Sequence, residues 1–307
     1  MKTSKKILMI LLCTMVIGLY GCKEKNNEAV YNNQEIKKET SQKSKEEKNT
    51  SNNNSKDLKK DTEDTAKKNI KNHQNNEEAF PQNIPLKHNN EDICILMYHS
   101  IDYEKNNNLR MPKEKFKEQM KYIKDQGYTT LTLNQLYDFL EKNKPIPKKS
   151  VVITLDDGYV DNYTNAYPVL KEYGINATIF VITDCIDRDN SYLNSKQIRE
   201  LQANGIDIQS HTTNHQELHR VPYKNQLQTL KQSKEVLEKL LDKKITCIAY
   251  PCGKYNEDTI KAAKEAGYTM AFATGGRLGK KSDGIYSIKR IGVYANNGMN
   301  ILQAYLK

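Results

Sequence analysis

ITLDDGY, residues 153–159, ends an apolar run with two adjacent aspartates and a glycine. The run VVITLD at 151–156 has the length and the β-branched content of a buried strand. Successive side chains of a strand point to opposite faces, so two neighbouring carboxylates do not decorate one solvated surface. Asp156 and Asp157 therefore need partners elsewhere in the chain.

Strand-like and helix-like segments alternate around this stretch. Further strands are predicted at 92–98, 177–183, 206–210 and 246–250, with a last pair in TMAFAT and YSIKRIGV. Helical signals lie between them, such as the capping box formed by Thr132 and Gln135. Repeated strand–helix units predict a parallel sheet of the α/β class, and this many units indicate a closed or partly closed barrel. In such folds the chemistry lies at the C-terminal ends of the strands, where the two aspartates stand.

The N-terminus has the pattern of an export signal. Three lysines precede the apolar run 7–20, which is shorter than the roughly 20 residues that span a membrane. The run ends in LYGC at 19–22, which resembles a bacterial lipoprotein cleavage box. The resemblance implies lipidation of Cys22 and an extracytoplasmic protein anchored to the cell membrane. A plain transmembrane anchor and ordinary secretion are the alternatives.

Composition divides the rest of the chain into two parts. Residues 23–90 are Asn, Lys, Glu and Ser with few aromatic or β-branched residues, so they predict a disordered polar tether between the signal peptide 1–22 and a domain at 91–307. The net charge of +10 fits a solvated surface or a face that meets anionic envelope polymers. Nothing in the pattern indicates a nucleic-acid partner.

A second polar cluster follows the strand at 206–210. The segment IQSHTTNH places His211 and His215 four residues apart at this strand end. Two imidazoles and one carboxylate form a facial ligand set that leaves positions for water and substrate. Alone, DDG is more often a turn and HxxxH more often two exposed histidines. Their occurrence at strand ends of one parallel fold predicts a metal site with Asp157 as third ligand, beside which Asp156 acts on water.

Three motifs carry a family resemblance. TLDDGY, HTTNH and AYPCGKYN match, in order and spacing, the first three motifs of the NodB-like polysaccharide deacetylases, carbohydrate esterase family 4. LMYHSI at 96–101 is similar to the opening of the branch that includes the poly-N-acetylglucosamine deacetylases. The resemblance covers 91–307 and implies a distorted (β/α)7 barrel.

The activity that this resemblance implies is metal-dependent removal of acetyl groups from N-acetylglucosamine units of a cell-envelope or extracellular polysaccharide, such as poly-N-acetylglucosamine or peptidoglycan. It implies a divalent metal, with Zn²⁺ expected first and Co²⁺, Ni²⁺ or Fe²⁺ as alternatives. Asp156 is the general base by resemblance, and the backbone N–H of Cys252 holds the oxyanion. The partners expected are an N-acetylated polysaccharide and, through the lipid, a membrane. A monomer is expected.

Two residues that the family pattern places in the site, an arginine and a C-terminal histidine, are missing from this sequence, so other residues must take their roles. The third motif of the family carries an arginine that pairs with the base, but this chain has Ala249 there. Arg290 can supply the charge from a late strand, or it is a surface arginine. No histidine follows His219, so the usual C-terminal acid is missing. We predict His99, at the end of the first strand, as the acid, with a structural histidine as the alternative.

Substrate contacts are predicted at Tyr159, Tyr250 and Pro251, because rings at strand ends stack on sugar faces, although core tyrosines look the same in a sequence. Asp161 and Asn162 are interpreted as helix caps. Two other functions stay open, an O-acetyl carbohydrate esterase and a catalytically inactive sugar-binding envelope lipoprotein. The motifs leave the polymer undetermined.

Overall fold

A computed structural model describes residues 80–81 and 83–306 of the chain. The predicted signal peptide, Cys22 and most of the predicted tether lie outside the described residues. The structure places a short strand, Leu86–Lys87, before the predicted domain boundary at 91, where it pairs antiparallel with Ile146–Pro147. Within the part of the chain that the structure describes, no helix is both long enough and apolar enough to cross a membrane.

Strands and helices alternate along the described chain. The strands in chain order are β1 Leu86–Lys87, β2 Cys94–Tyr98, β3 Thr129–Thr130, β4 Ile146–Pro147, β5 Ser150–Leu155, β6 Thr178–Val181, β7 Asp207–Ser210, β8 Cys247–Ala249, β9 Met270–Phe272 and β10 Ile291–Gly292. The helices are α1 Lys113–Asp125, α2 Leu133–Lys142, α3 Tyr167–Tyr173, α4 Ser195–Ala203, α5 Tyr223–Leu241, α6 Glu257–Glu265 and α7 Gly298–Tyr305. A π-helical turn, Asn162–Ala166, leads into α3.

The main sheet has the order β10-β2-β5-β6-β7-β8-β9, with β3 beside β5, and all of its pairings are parallel. The two ends of this path meet through one bridge, in which the Ile288 backbone donates to Ala271 and accepts from Ala273. The predicted distorted (β/α)7 barrel is confirmed. The strands at the junction are two and three residues long, so the barrel is irregular there.

Alternating strand residues divide the core into two layers. Ile95 and Val152 belong to an inner cluster that fills the barrel, with residues of α2. Leu96 and Ile153 belong to the larger outer cluster between the strands and the other helices. The inward parity of Val152 continues through Thr154 to Asp156. This parity turns the first aspartate of the motif into the barrel.

Candidate active site and metal centre

Asp156 and Arg290 form a buried ion pair inside the barrel. Arg290 Nη1 and Nη2 donate to the two carboxylate oxygens of Asp156 at 2.7 Å each. Nη1 also donates to Thr154 Oγ1 at 3.1 Å, and Nε donates to the backbone oxygen of Ala273 at 3.4 Å. The arginine side chain is fully buried, so the structure does not place Arg290 on the surface. Two parallel N–H···O bonds are the strongest and most directional form of this pair.

Arg290 lies beside the inner cluster to which Ala249 of the third motif belongs. It immediately precedes β10, and its guanidinium lies 5.5 Å from the ring centroid of Phe180 and 5.8 Å from that of Phe272. Ala249, where the family has an arginine, belongs to the same inner cluster as these two rings. The small side chain at 249 therefore faces the barrel interior, and the charge arrives from a different strand. The sequence did not single out Thr154, although its inward parity two residues before Asp156 was a signal.

The environment of Asp156 keeps it ionised. Burial raises the pKa of its carboxyl, but the charge of Arg290, followed by that of His211, outweighs burial and holds the pKa below the ordinary value. A carboxylate with a lowered pKa is ready to accept a proton over a wide pH range, at the cost of being a weaker base.

Asp157, His211 and His215 meet at the strand ends. Each offers one ligand atom, and these atoms all lie within 4.8 Å of one another. His211 Nε2 is 3.3 Å and His215 Nε2 is 3.4 Å from Asp157 Oδ1. The backbone of Asp157 has φ 73° and that of His215 has φ 58°, in the left-handed region that non-glycine residues rarely adopt. Such strain is common where a side chain must be aimed at a functional site. Here the left-handed backbone of Asp157 places its side chain with the two histidines at the same strand ends as Asp156.

The donor set fits a divalent metal. Among the described residues, no hydrogen bond satisfies the buried Asp157 Oδ1. His211 Nδ1 lies 2.8 Å from the Ala249 carbonyl oxygen, which only accepts, so this nitrogen carries a proton and the other ring nitrogen, Nε2, faces Asp157. Burial raises the pKa of Asp157, but His211 outweighs it and the pKa lies at about 2. An ionised, unsatisfied oxygen between two imidazole nitrogens is the arrangement that a two-histidine, one-carboxylate site needs.

His99 stands beside this cluster. Its side chain is half-buried. Partial burial lowers its pKa, while the charges of Asp156 and Asp157 oppose that effect. In the described chain, its buried Nδ1 has no hydrogen-bond partner. The structure therefore brings the predicted acid to the same strand ends as the predicted base.

The predicted substrate and oxyanion residues differ in their accessibility. Tyr159 is partly exposed at the rim, where Tyr192 stacks on it at 5.0 Å and the Arg110 guanidinium lies 5.8 Å over its ring. Tyr250 is fully buried against Tyr255, with ring centroids 5.5 Å apart. Tyr159, not Tyr250, therefore has ring surface at the rim.

The turn of the third motif is tight. Pro251 is buried, and Cys252 is exposed with φ 54°. Gly253 has φ 65°, and a Cβ there would lie 2.2 Å from Thr274 Oγ1. Only glycine lets the turn approach the neighbouring loop this closely.

Asp161 and Asn162 do not cap a helix as the sequence analysis expected. Asp161 Oδ2 accepts from Ser100 Oγ at 2.6 Å, and Oδ1 accepts from the Ile101 backbone at 2.7 Å. Asn162 Nδ2 donates to the His99 carbonyl at 2.9 Å. The polar side chains of the π-helical turn thus serve the segment after β2. Asp and Asn side chains can cap a helix or bind a distant segment, and the sequence pattern is the same in both cases. This is why the sequence analysis wrongly interpreted these two residues as caps.

Comparison with known proteins agrees with this geometry. The sequence model of the family Polysaccharide deacetylase matches residues 143–271. YxkH of Bacillus subtilis, whose name places it among the polysaccharide deacetylases, is 40% identical over 215 residues, which cover 70% of this chain and 76% of YxkH. The poly-β-1,6-N-acetyl-D-glucosamine N-deacetylase of Staphylococcus epidermidis is 32% identical over 227 residues, 64% of this chain and 77% of that protein.

A solved structure extends the similarity to the fold. The Streptococcus pyogenes deacetylase PplD, in complex with acetate, superposes with a TM-score of 0.67 at 33% identity. The match covers 71% of this chain and 99% of that one.

Proposed function

Because the chain belongs to the polysaccharide deacetylase family, we propose that it is a metal-dependent N-deacetylase of N-acetylglucosamine units in a cell-envelope or extracellular polysaccharide. The observation that carries the proposal is the Asp156–Arg290 pair beside the Asp157, His211 and His215 cluster. An inactive sugar-binding domain has no need to hold a buried carboxylate ionised next to an unsatisfied ligand set.

Asp157, His211 and His215 would hold the metal. A divalent ion there, Zn²⁺ in our proposal, supplies Lewis acidity toward the acetamide carbonyl and lowers the pKa of water toward neutrality. Zn²⁺ suits two imidazoles and a carboxylate, and Co²⁺, Ni²⁺ or Fe²⁺ also accept this set.

Asp156 acts as the general base. Its two oxygens already accept from Arg290, but an ionised carboxylate has about four lone-pair sites, so capacity remains for a water proton. The bidentate grip fixes the direction of the carboxylate, and it prevents protonation at the pH where the amide is attacked.

His99 acts as the general acid. An amine leaves as an amide anion unless it is protonated, so this step needs a proton donor close to the reacting nitrogen. His99 lies at the end of β2, next to β5 and within the electrostatic reach of Asp156 and Asp157.

The backbone N–H of Cys252 is the proposed oxyanion donor. Tyr159 and Pro251 are the proposed substrate contacts, and the buried Tyr250 supports them from the core.

The substrate class rests on the relatives. A protein that is 32% identical over 227 residues is named for poly-β-1,6-N-acetyl-D-glucosamine, so we infer an N-acetylated polymer of the cell exterior as substrate. One chain supplies all the residues of the proposed site, which supports a monomeric enzyme.

Acetate release tests the proposal. The full chain, loaded with Zn²⁺, is incubated with poly-β-1,6-N-acetylglucosamine, peptidoglycan, chitin oligomers and O-acetylated xylan, with Asp156→Asn as control. We expect acetate from at least one N-acetylated polymer and at least about a hundredfold less from the variant. Acetate from xylan alone would make the protein an esterase. No acetate from any polymer, with metal bound, would leave the sugar-binding alternative.

The location is proposed from LYGC at 19–22. Labelled palmitate should enter the protein, and Cys22→Ser should abolish the label and release the protein into the medium. Unchanged labelling of the variant contradicts a lipid anchor at Cys22.

A further inference from the structure

We propose that the π-helical turn after the DDG motif positions the general acid, with Asp161, Asn162 and Asn165 as positioning residues for His99. This inference rests on the proposed function, because it takes His99 as the proton donor to the leaving amine. The three side chains are called here the His99 clamp.

The clamp makes hydrogen bonds to residues 99–101. It binds the backbone of His99 and Ile101 and the side chain of Ser100. Asn162 Nδ2 donates to the carbonyl oxygen of His99 at 2.9 Å. Asp161 accepts from Ser100 Oγ at 2.6 Å and from the Ile101 N–H at 2.7 Å. Asn165 Nδ2 donates to the carbonyl oxygen of Ile101 at 2.8 Å.

The clamp is internally braced. Asn162 Nδ2 also donates to Asp161 Oδ1 at 3.1 Å, so one amide group joins the carboxylate to the His99 carbonyl. Both of these partners only accept, which fixes the orientation of the Asn162 amide. Asp161, Asn162 and Ser100 are all buried. Buried hydrogen bonds to fixed partners hold a segment more rigidly than exposed ones.

The position of the His99 imidazole depends on the hydrogen bonds that the clamp makes to the backbone. Within the described residues, its buried Nδ1 accepts no hydrogen bond and donates none. The neighbouring sites are different, because His211 Nδ1 is held by the Ala249 carbonyl and Asp156 by Arg290. The position of the His99 ring must therefore come from its backbone, and the backbone is held by the turn that follows Asp157.

The π-helical geometry of the turn explains how three side chains from one short segment all contact residues 99–101. Residues 162–166 form a wide π-helical turn rather than a regular α-helical one. Single π turns occur often at functional sites, because the extra residue redirects side chains. Here Asp161, Asn162 and Asn165 all reach the end of β2. The metal ligand at 157 and the holder of the acid at 162 are thus five residues apart on one loop.

The choice of substrate separates positioning of the acid from general support of the site. An N-acetylglucosamine oligomer has an amine leaving group that needs a proton, whereas 4-nitrophenyl acetate has a stable phenolate leaving group that needs none. For Asn162→Ala we expect turnover of the amide to fall about ten- to a hundredfold, because a displacement of about 1 Å costs up to about 10²-fold. Hydrolysis of the ester should fall less than about threefold, since base and metal are untouched.

A double variant tests whether Asn162 acts through His99. In a His99→Ala background, Asn162→Ala should change amide turnover less than about twofold further, because the group it positions is gone. Asn176→Ala is the matched control. Its Nδ2 donates to the Thr130 carbonyl at 2.9 Å, at the opposite end of the barrel, and both substrates should be turned over as in the wild type. Should Asn162→Ala fail to fold, the half-buried Asn165→Ala replaces it, with a smaller loss confined to the amide.

All measurements use the full chain with equal metal content, and circular dichroism verifies the fold. Selective loss of the amide reaction and no further loss in the double variant support the clamp. A parallel loss on both substrates, or losses that multiply in the double variant, would overturn it while the wild-type deacetylase activity stands. If the wild type cleaves the ester but no N-acetylated sugar, the proposed function fails and the clamp fails with it.

Discussion

Arg290→Met removes a buried guanidinium and keeps a long unbranched side chain in its place. In the wild type, that guanidinium makes two bonds of 2.7 Å to Asp156 and one of 3.1 Å to Thr154, with no exposed surface. Removing one partner of a buried ion pair leaves the other charge uncompensated and costs roughly 3–5 kcal/mol of unfolding free energy.

The expected change in melting temperature follows from this cost. In a domain of this size, 1 kcal/mol corresponds to roughly 2–4 °C, so we expect the Tm of Arg290→Met to fall by about 6–20 °C. Arg188→Met is the control, since Arg188 lies 3.9 Å from Asp184 and its side chain is 74% exposed. A surface pair of this kind contributes about 0–1 kcal/mol, so its Tm should move by at most about 4 °C.

The loss should depend on pH in a defined direction. In the wild type, burial raises the pKa of Asp156, but Arg290 outweighs it and the pKa lies below the ordinary value. This carboxylate therefore stabilises the fold above its unfolded pKa, and the contribution is lost as pH falls through the folded pKa. Without Arg290, burial dominates and the pKa rises above the unfolded value, so the ionised form destabilises the variant at neutral pH.

The Tm difference between wild type and Arg290→Met should accordingly be largest near neutral pH. It should shrink as the pH falls through the raised pKa of Asp156 in the variant, where this carboxylate takes up a proton. Thermal unfolding of chelator-treated protein, followed by circular dichroism at several pH values, measures this. The acidic limb of the acetate-release profile should also move to higher pH. A Tm difference that stays constant with pH would refute charge compensation as the role of Arg290.

Two further predictions concern the motif residues. Asp156→Asn should keep the metal and lose at least about a hundredfold in turnover, whereas Asp157→Asn should lose the metal; equal metal content in the two purified variants contradicts this division of roles. Gly253→Ala brings a Cβ to 2.2 Å from Thr274 Oγ1 at φ 65°, so we expect a loss of about 1–3 kcal/mol from backbone strain alone and a displaced turn that lowers turnover. Gly174→Ala, at φ 61° with no atom within 4 Å of the added carbon, should show only the strain, and equal effects of both on turnover would contradict a role for the turn.

The sequence predicted those parts of the fold that depend on local patterns. The capping box of Thr132 and Gln135 is present at the start of α2, and the long helix predicted at 224–241 is α5, Tyr223–Leu241. The predicted family is confirmed by the match with the family model and with YxkH. Asp157, His211 and His215 come together because the parallel strands β5 and β7 end on the same rim.

Other parts depended on geometry that a pattern does not contain. The strands predicted in TMAFAT and YSIKRIGV are shorter in the structure, because pairing at the junction of the barrel is reduced to one bridge before β10. The burial of Tyr250 follows from its outward parity after Ala249, and parity is read only when the register of the strand is known. The π-helical turn has no periodic signal of its own, so Asp161 and Asn162 resembled ordinary caps.

The Asp156–Arg290 bond joins residues 134 positions apart in the chain. A growing chain that ends before residue 290 already contains every proposed metal ligand, but it lacks the cation that neutralises Asp156. Long-range pairings of this kind form late, because the intervening loop must first be closed. Until β10 docks, an uncompensated buried carboxylate at the C-terminal end of the barrel opposes closure. When β10 docks, the same event closes the sheet and orients the base. We expect chemical competence to appear in one step with barrel closure, so partly folded forms of this enzyme should bind metal before they can turn over substrate.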